Sequence, residues 1–275
     1  MKKTVKRVLA SALSLCLLFS LTIPQALAVK TGSLGSNLTW KVKGSTLTIS
    51  GKGAMEEFDS DESPWAAEGI DNCDLKKIVI KEGVTSLCDS AFNCYDYVKS
   101  ISLPKSLKKF GFMALNGTSL KEVRLAKGSK YFSTKGGVLF NKKKTTLVYY
   151  PTRKKGKSYT VPSSVKTIAA GAFCGQMDIY SANPYLKKLI IPKNVRTVQD
   201  CAFSETDIQV FQFQGTPPKI HAGAFSGSSV KILYPKKLRS KWKSTIEALK
   251  EECKATQEDE DEEEELVTEL TFQWY

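Results

Sequence analysis

The sequence predicts a mainly β protein made of stacked repeats, with short helical or irregular corners between strands. Three observations predict it. Five times a small residue stands beside a large apolar one: Ala91-Phe92, Ala114-Leu115, Ala172-Phe173, Ala202-Phe203 and Ala224-Phe225. Short apolar runs lie upstream, ending at Ile80, Leu103, Leu125, Val161 and Ile191, and the step from Ile80 to Phe92 recurs from Leu103 to Leu115, Val161 to Phe173 and Ile191 to Phe203. A fixed spacing of this kind is the signature of a repeat architecture. Third, Pro104, Pro162 and Pro192 follow three of the runs and stop them at one place, because proline has no N–H to give a ladder.

One unit reads Leu186 to Pro192, then Val195-Arg196-Thr197-Val198, then Ala202-Phe203: strand, turn, short coil and corner. Runs such as Leu189-Ile190-Ile191 are too short for a helix and rich in β-branched residues. A unit this small cannot bury its own apolar side, so neighbours must share one continuous core, and the Ala-Phe pairs are core rather than a cofactor site.

The elements follow in order. Residues 1–28 read as a secretory signal: Lys2, Lys3, Lys6 and Arg7 precede an apolar stretch to Ile23, and Ala26-Leu27-Ala28 supplies the small residues for cleavage after Ala28. The stretch is short for a membrane anchor, and no membrane span is expected after cleavage. Leu15 before Cys16 and the short run preceding it speak against a lipidated cysteine. Leu38 to Val42 and Thr46 to Ser50 alternate around Gly44 as two strands of an N-terminal cap. Between Leu125 and Val161 the spacing breaks, and Val138-Leu139-Phe140 with Leu147 to Pro151 reads as an inserted β-hairpin. Ser244 to Lys254 reads as helix, Glu258 to Glu265 is an acidic loop, and Leu270 to Tyr275 returns to strand composition. Trp40, Trp65, Trp242 and Trp274 lie toward the two ends, where large aromatics can close a core that no further repeat covers. An aromatic carbohydrate platform is the alternative use of the same residues.

These motifs resemble the leucine-rich repeats of the BspA-like bacterial surface proteins, with their L-x-x-I-x-I-P, V-x-x-I and A-F pattern, over about residues 34–275. Thr167-Ile168 with Ala172-Phe173 and Thr197-Val198 with Ala202-Phe203 fit closely; Phe112-Met113-Ala114-Leu115 departs by replacing Phe with Leu, and the Asn ladder of ordinary leucine-rich repeats is absent. The resemblance implies a right-handed leucine-rich-repeat solenoid with a parallel sheet on one face, an inserted β-hairpin and terminal caps. It also implies proteins that are mostly exported and that look like adhesins or ligand-binding modules. The expected organisation is signal peptide 1–28, N-terminal cap 29–74, solenoid 75–243 with the hairpin at about 128–156, and a C-terminal helix, acidic loop and capping strand over 244–275.

Charge is the functional clue. Residues 29–257 carry 37 Lys and Arg against 19 Asp and Glu. Lys76, Lys99, Lys121, Lys157 and Lys187 each stand four residues before the apolar marker of five successive units, so stacking should line them up as a ladder. Parallel strands lie ~4.8 Å apart, and a polyanion would relieve the repulsion along such a row while releasing counterions. Lys108, Lys166 and Arg196 form a second, shorter set after the Val or Leu of the turn. The competing explanation is that these cations only solubilise a sheet edge. Outward strand positions, among them Lys77, Val79, Ser102, Arg124, Ile190 and Gln212, are chemically mixed. The expected partner is an extracellular protein or an anionic polysaccharide; no specific nucleic-acid motif appears.

Catalytic signatures are missing from the sequence. His221 is the only histidine and has no sequence-near carboxylate or nucleophile in a recognisable order. Phosphate-loop, metalloprotease and calcium-loop patterns are absent, so no cofactor, metal site or enzyme activity is expected. Export leaves Cys73, Cys88, Cys94, Cys174, Cys201 and Cys253. Their pairing is open: Cys73 and Cys94 occupy corresponding parts of adjacent units and could bridge, while free thiols buried at corners are equally compatible.

Overall fold

The computed structural model describes residues 29–58, 63–175, 183–258 and 269–275. Residues 1–28, read from the sequence as a signal peptide, and nearly all of the acidic run lie outside the described residues. The strands are β1 (Lys30–Leu34), β2 (Leu38–Lys43), β3 (Thr46–Gly51), β4 (Lys77–Ile80), β5 (Ser100–Leu103), β6 (Arg124–Leu125), β7 (Phe132–Lys135), β8 (Val138–Asn141), β9 (Thr146–Tyr149), β10 (Ser158–Thr160) and β11 (Thr167–Ile168). After them come β12 (Lys188–Ile191), β13 (Thr197–Val198), β14 (Val210–Phe213), β15 (Lys219–Ile220), β16 (Ser229–Tyr234), the helix α1 (Arg239–Glu258) and β17 (Glu269–Trp274).

Each unit contributes a main strand, and these strands stack in parallel as β3-β4-β5-β6 and as β10-β12-β14-β16-β17. Side chains alternate across them: Ile78, Ile80, Ile101, Leu103, Leu189, Ile191, Phe211 and Phe213 point inward and are buried, and the intervening residues face out. A second parallel row, β9-β11-β13-β15, runs through the segments expected to be turns. With two residues each, β11, β13 and β15 have no periodicity of their own. They exist because Thr167 and Thr197 hold register with their neighbours in space.

The five corners share one backbone device. Ser90, Met113, Gly171, Cys201 and Gly223, each immediately before the Ala of its pair, adopt a left-handed conformation, with φ of 51°, 51°, 63°, 51° and 65°. That turn sends the chain inward and aligns the corners, so the N–H of Phe92 donates to the carbonyl of Ala114, that of Phe173 to Ala202 and that of Phe203 to Ala224, at 2.8 to 3.0 Å. All ten corner residues are buried as expected. The rings of Phe173, Phe203 and Phe225 follow one another at 5.6 and 5.2 Å between centroids.

The third unit departs from this plan. Its main strand β6 is followed by an antiparallel meander, β7-β8-β9, and β9 then enters the second row beside β11. Sequence reasoning missed β7, because Phe132 is its only large apolar residue. Tyr149-Tyr150 takes the place of the Ala-Phe pair: the N–H of Tyr150 donates to the carbonyl of Ala172 at 2.9 Å, and its ring stacks on Phe173 at 4.9 Å. Strand β8 is buried on both faces. Leu139 joins the core that begins at Leu34, while Val138 and Phe140 join the core that continues to Leu249. One strand is thus the wall between two hydrophobic clusters.

At the N-terminal end β1, β2 and β3 pair antiparallel. Gly32 lies opposite Trp40, and a Cβ there would sit 2.6 Å from the indole Nε1, so only glycine lets this indole lie across β1. Trp65 is fully buried and donates through Nε1 to the Tyr95 hydroxyl at 2.8 Å. At the other end Trp242 is buried on α1 and donates to the Gly215 carbonyl at 3.0 Å. Helix α1 begins five residues earlier than the sequence suggested, since its first turn is cationic rather than amphipathic.

Candidate ligand-binding surface

Each lysine of the main set stands just before a main strand. The N–H of Lys99 donates to the carbonyl of Lys76 at 3.0 Å, and that of Lys187 to Lys157 at the same distance, so these are direct neighbours on adjacent turns. The pairing of Ser102 with Arg124 sets Lys121 level with Lys99. Lys76, Lys99, Lys121 and Lys157 are exposed, and Lys187 is half-buried. Among the described residues only Lys187 of the five has a carboxylate in reach, Asp207 at 4.0 Å.

The row is interrupted between Lys121 and Lys157. Strand β6 does not pair with β10. Its outer side is met instead by the turn between β7 and β8, where the Val123 N–H donates to the Gly137 carbonyl at 2.8 Å, and by Arg153, whose N–H donates to the Leu120 carbonyl at 2.8 Å. Gly137 (φ 79°) is so close that a Cβ would lie 2.6 Å from that of Glu122. The ladder therefore comes in two segments, Lys76-Lys99-Lys121 and Lys157-Lys187. Past Lys187 the same level is held by Gln209, which donates its N–H to the Lys187 carbonyl, and the cations stop.

A cleft of ≈ 530 Å³ opens beside the interruption, lined by Lys135 and Gly136 from the meander and by Lys154, Tyr159, Pro162 and Gln214. Lys135 and Lys154 thus bring positive charge to the gap in the ladder. Sequence reading had no signal for them, because neither sits at a repeat register.

The second set is assembled in part. The Arg196 N–H donates to the Lys166 carbonyl at 2.7 Å, making those two neighbours, whereas Lys108 bonds back to Thr85 and is separated from Lys166 by Thr145 of the third unit. Outward strand positions are mixed as read from the sequence: Val79 faces out beside Ser102 and Arg124, and Ile190 beside Thr160 and Gln212.

His221 has a neighbour the sequence did not reveal. Its Nδ1 lies 3.5 Å from Oδ1 of Asp200, a residue of the preceding corner. The pair is close in space because β13 and β15 run side by side. Among the described residues Cys73, Cys88, Cys174 and Cys201 are free thiols. Burial first, and nearby Glu57, push the Cys88 thiol up to about 12; burial, with Glu205 and Cys201, does the same at Cys174.

Parallel strands stacked one per unit, apolar residues in repeat register and a left-handed corner in five of the turns define a leucine-rich-repeat protein. The chain belongs to the BspA type leucine rich repeat family, whose profile matches residues 68–147 and 148–244 in six copies. Solved structures similar to it include a leucine-rich repeat protein from Eubacterium ventriosum, 20% identical, covering 76% of this chain and 79% of that one with a TM-score of 0.34. A leucine rich cell surface protein from Faecalibacterium prausnitzii is 18% identical over 59% of this chain and 54% of its own, with a TM-score of 0.44. The pneumococcal vaccine antigen PcpA is 14% identical over 80% and 96%, with a TM-score of 0.38. A search of curated proteins found none that matches. Among the described residues no helix is long and apolar enough to cross a membrane.

Proposed function

We propose that this chain is an exported, non-catalytic binding protein of the cell surface or its surroundings, which holds anionic polysaccharides or wall polymers along its lysine ladder. One observation carries the reading: lysines from adjacent turns stand side by side and exposed, and all but Lys187 lack a carboxylate partner among the described residues. Cations held at strand spacing repel one another, and a polymer with regularly spaced negative groups exchanges that repulsion for attraction and counterion release. The signal-like residues 1–28 support export. Within the same reading the antiparallel β1–β3 and the α1–β17 unit serve as end caps, the β7–β8 pair is an insertion, and the solenoid is right-handed, as parallel crossover connections nearly always are.

The test is binding of the exported chain to teichoic acid, polygalacturonate, heparin and neutral dextran at low and physiological salt. Binding to the anionic polymers alone, lost steeply with salt and weakened by Lys99→Gln/Lys121→Gln/Lys187→Gln, is the expected result. Salt-insensitive binding, or binding that survives the triple substitution, rules the ladder out. The second reading is a protein partner on the outward strand face, which the half-exposed Val79, Ile190 and Val210 favour. Failure with every polymer moves the search there.

A further inference from the structure

Far from the ladder, at the last turn of the solenoid, α1 lies over β17 and leaves a groove of ≈ 800 Å³ between them. That volume lies within the ~300–1,000 Å³ of small-ligand sites. Three cations line it, Arg239, Lys243 and Lys250, together with Tyr234, Phe272 and Trp274. Lys236 adds a fourth cation at its rim, 4.6 Å from the Trp274 ring centroid.

Trp274 differs from the other three tryptophans. Trp40, Trp65 and Trp242 are at most 2% exposed, whereas Trp274 is 43% exposed at the end of an edge strand. A large aromatic left in water, with Lys236 over its ring and Lys250 6.0 Å from the Phe272 ring centroid, is not closing a core. The charges also run against the helix. The dipole of α1 favours anions in its first turn, yet that turn holds no acid, and Arg239, Lys241 and Lys243 fill its beginning. Each such cation costs helix stability. None of the groove cations makes an ion pair among the described residues, although Glu247, one turn from Lys243, lines the same groove.

From these observations we infer that the groove between α1 and β17 is a binding site for acidic sugar units, hexuronate or sulfated hexose, within an oligosaccharide. A pyranose ring presents an apolar C–H face to Trp274 or Phe272. Its carboxylate or sulfate is met by Arg239, which can hold two oxygens at once, and by Lys243. Glu247 accepts from ring hydroxyls, a contact that no purely anionic ligand could use. This site rests on its own residues and not on the ladder.

Trigalacturonate, maltotriose and triglutamate titrated into the full exported chain test it, followed by calorimetry and by the emission of Trp274, the one solvent-exposed indole. The expected result is saturable trigalacturonate binding that shifts Trp274 emission. It should weaken at least tenfold in Trp274→Ala and in Arg239→Gln/Lys243→Gln, while the emission shift, which reports the groove alone, is retained when the ladder variant Lys99→Gln/Lys187→Gln loses any separate binding of its own. Binding lost in the ladder variant and kept in the groove variants assigns the sugar to the ladder and overturns the proposal. Equal affinity for triglutamate overturns the sugar assignment, and absence of trigalacturonate binding overturns the site. Circular dichroism of both groove variants separates lost binding from lost folding.

Discussion

Asn116 donates its side-chain amide to the carbonyl of Gly171, 3.2 Å away and 55 residues further along the chain. The same Nδ2 also donates to the Cys174 carbonyl at 3.1 Å, and Asn116 is 1% exposed. It ties the second of the five corners to the third, across the place where Tyr149-Tyr150 stands in for an Ala-Phe pair. Asn116→Leu leaves the Cys174 carbonyl without this donor and the Gly171 carbonyl with the Cys174 N–H alone, at ~1–3 kcal/mol for the group left unsatisfied. Urea denaturation should show a loss of ~1–3 kcal/mol, and Asn116→Asp should lose at least as much by setting a carboxylate against carbonyl oxygens. Wild-type stability in both variants would mean that the seam is held by apolar contact alone.

The left-handed residue before each corner Ala predicts opposite outcomes at two equivalent positions. Ser90 sustains φ of 51° with a side chain, where Gly171 has none. A non-glycine residue in this region costs ~1–2 kcal/mol, against ~0.5–1 kcal/mol for the extra unfolded freedom of glycine. Ser90→Gly should therefore be neutral or stabilising by up to ~1 kcal/mol. Gly171→Ala should destabilise by more, because its Cβ would also meet Met113 Cγ at 3.1 Å and Phe112 Cε2 at 3.3 Å. Thermal melts of the two variants should move apart; movement in the same direction would show that the corner backbone adapts.

The corner position illustrates what the sequence made legible and what it did not. The Ala-Phe pairs and the residues Ile80, Leu103, Val161 and Ile191 announced the register because burial demands the same apolar type in every unit. The residue before Ala is Ser, Met, Gly, Cys or Gly, since a backbone conformation imposes no side-chain type beyond tolerance of positive φ. The ladder lysines were readable because they keep register, whereas the change of spacing between Leu125 and Val161 announced an insertion but not that it would split the row between Lys121 and Lys157. That β8 is buried on both faces and that Lys135 and Lys154 border the gap follow only from three-dimensional packing. The groove under α1 was hidden for a like reason: Arg239, Lys243 and Lys250 come from a helix, while Phe272 and Trp274 come from a strand beyond the acidic run.

Two adjacent tyrosines predict an alkaline limit to stability. Burial pushes the hydroxyls of both Tyr149 and Tyr150 up to about 12 from an ordinary value of 10. The fold thus favours the protonated phenols. Below pH 10 both folded and unfolded chains keep them protonated, and their contribution is fully present; as pH rises from 10 through 12 the unfolded chain ionises first and stability falls. The urea midpoint should drop between pH 10 and 12, the interval between the ordinary and the raised tyrosine values. Tyr150→Phe should reduce that drop with little change at pH 8, because burial is the only cause of the Tyr150 shift. A drop of wild-type size in this variant would assign the alkaline limit to other groups.

The interruption at Gly137 makes the ladder two segments rather than one, and this shapes its response to salt. Each cation contacting a polyanion adds ~0.7–0.9 to the slope of log affinity against log salt for ligands with the charge density of nucleic acids. Lys76→Gln/Lys99→Gln should therefore lower the slope for a long, highly charged polymer by ~1.5, and Lys157→Gln/Lys187→Gln by a similar or smaller amount, because Asp207 already neutralises part of Lys187. A polymer long enough to bridge the meander meets both segments and responds to either pair. A short oligomer fits one segment at a time, so each pair should remove one class of sites and leave the affinity of the other unchanged. If a short oligomer instead loses all binding when either pair is replaced, the segments act as one continuous row, and the meander does not divide the surface.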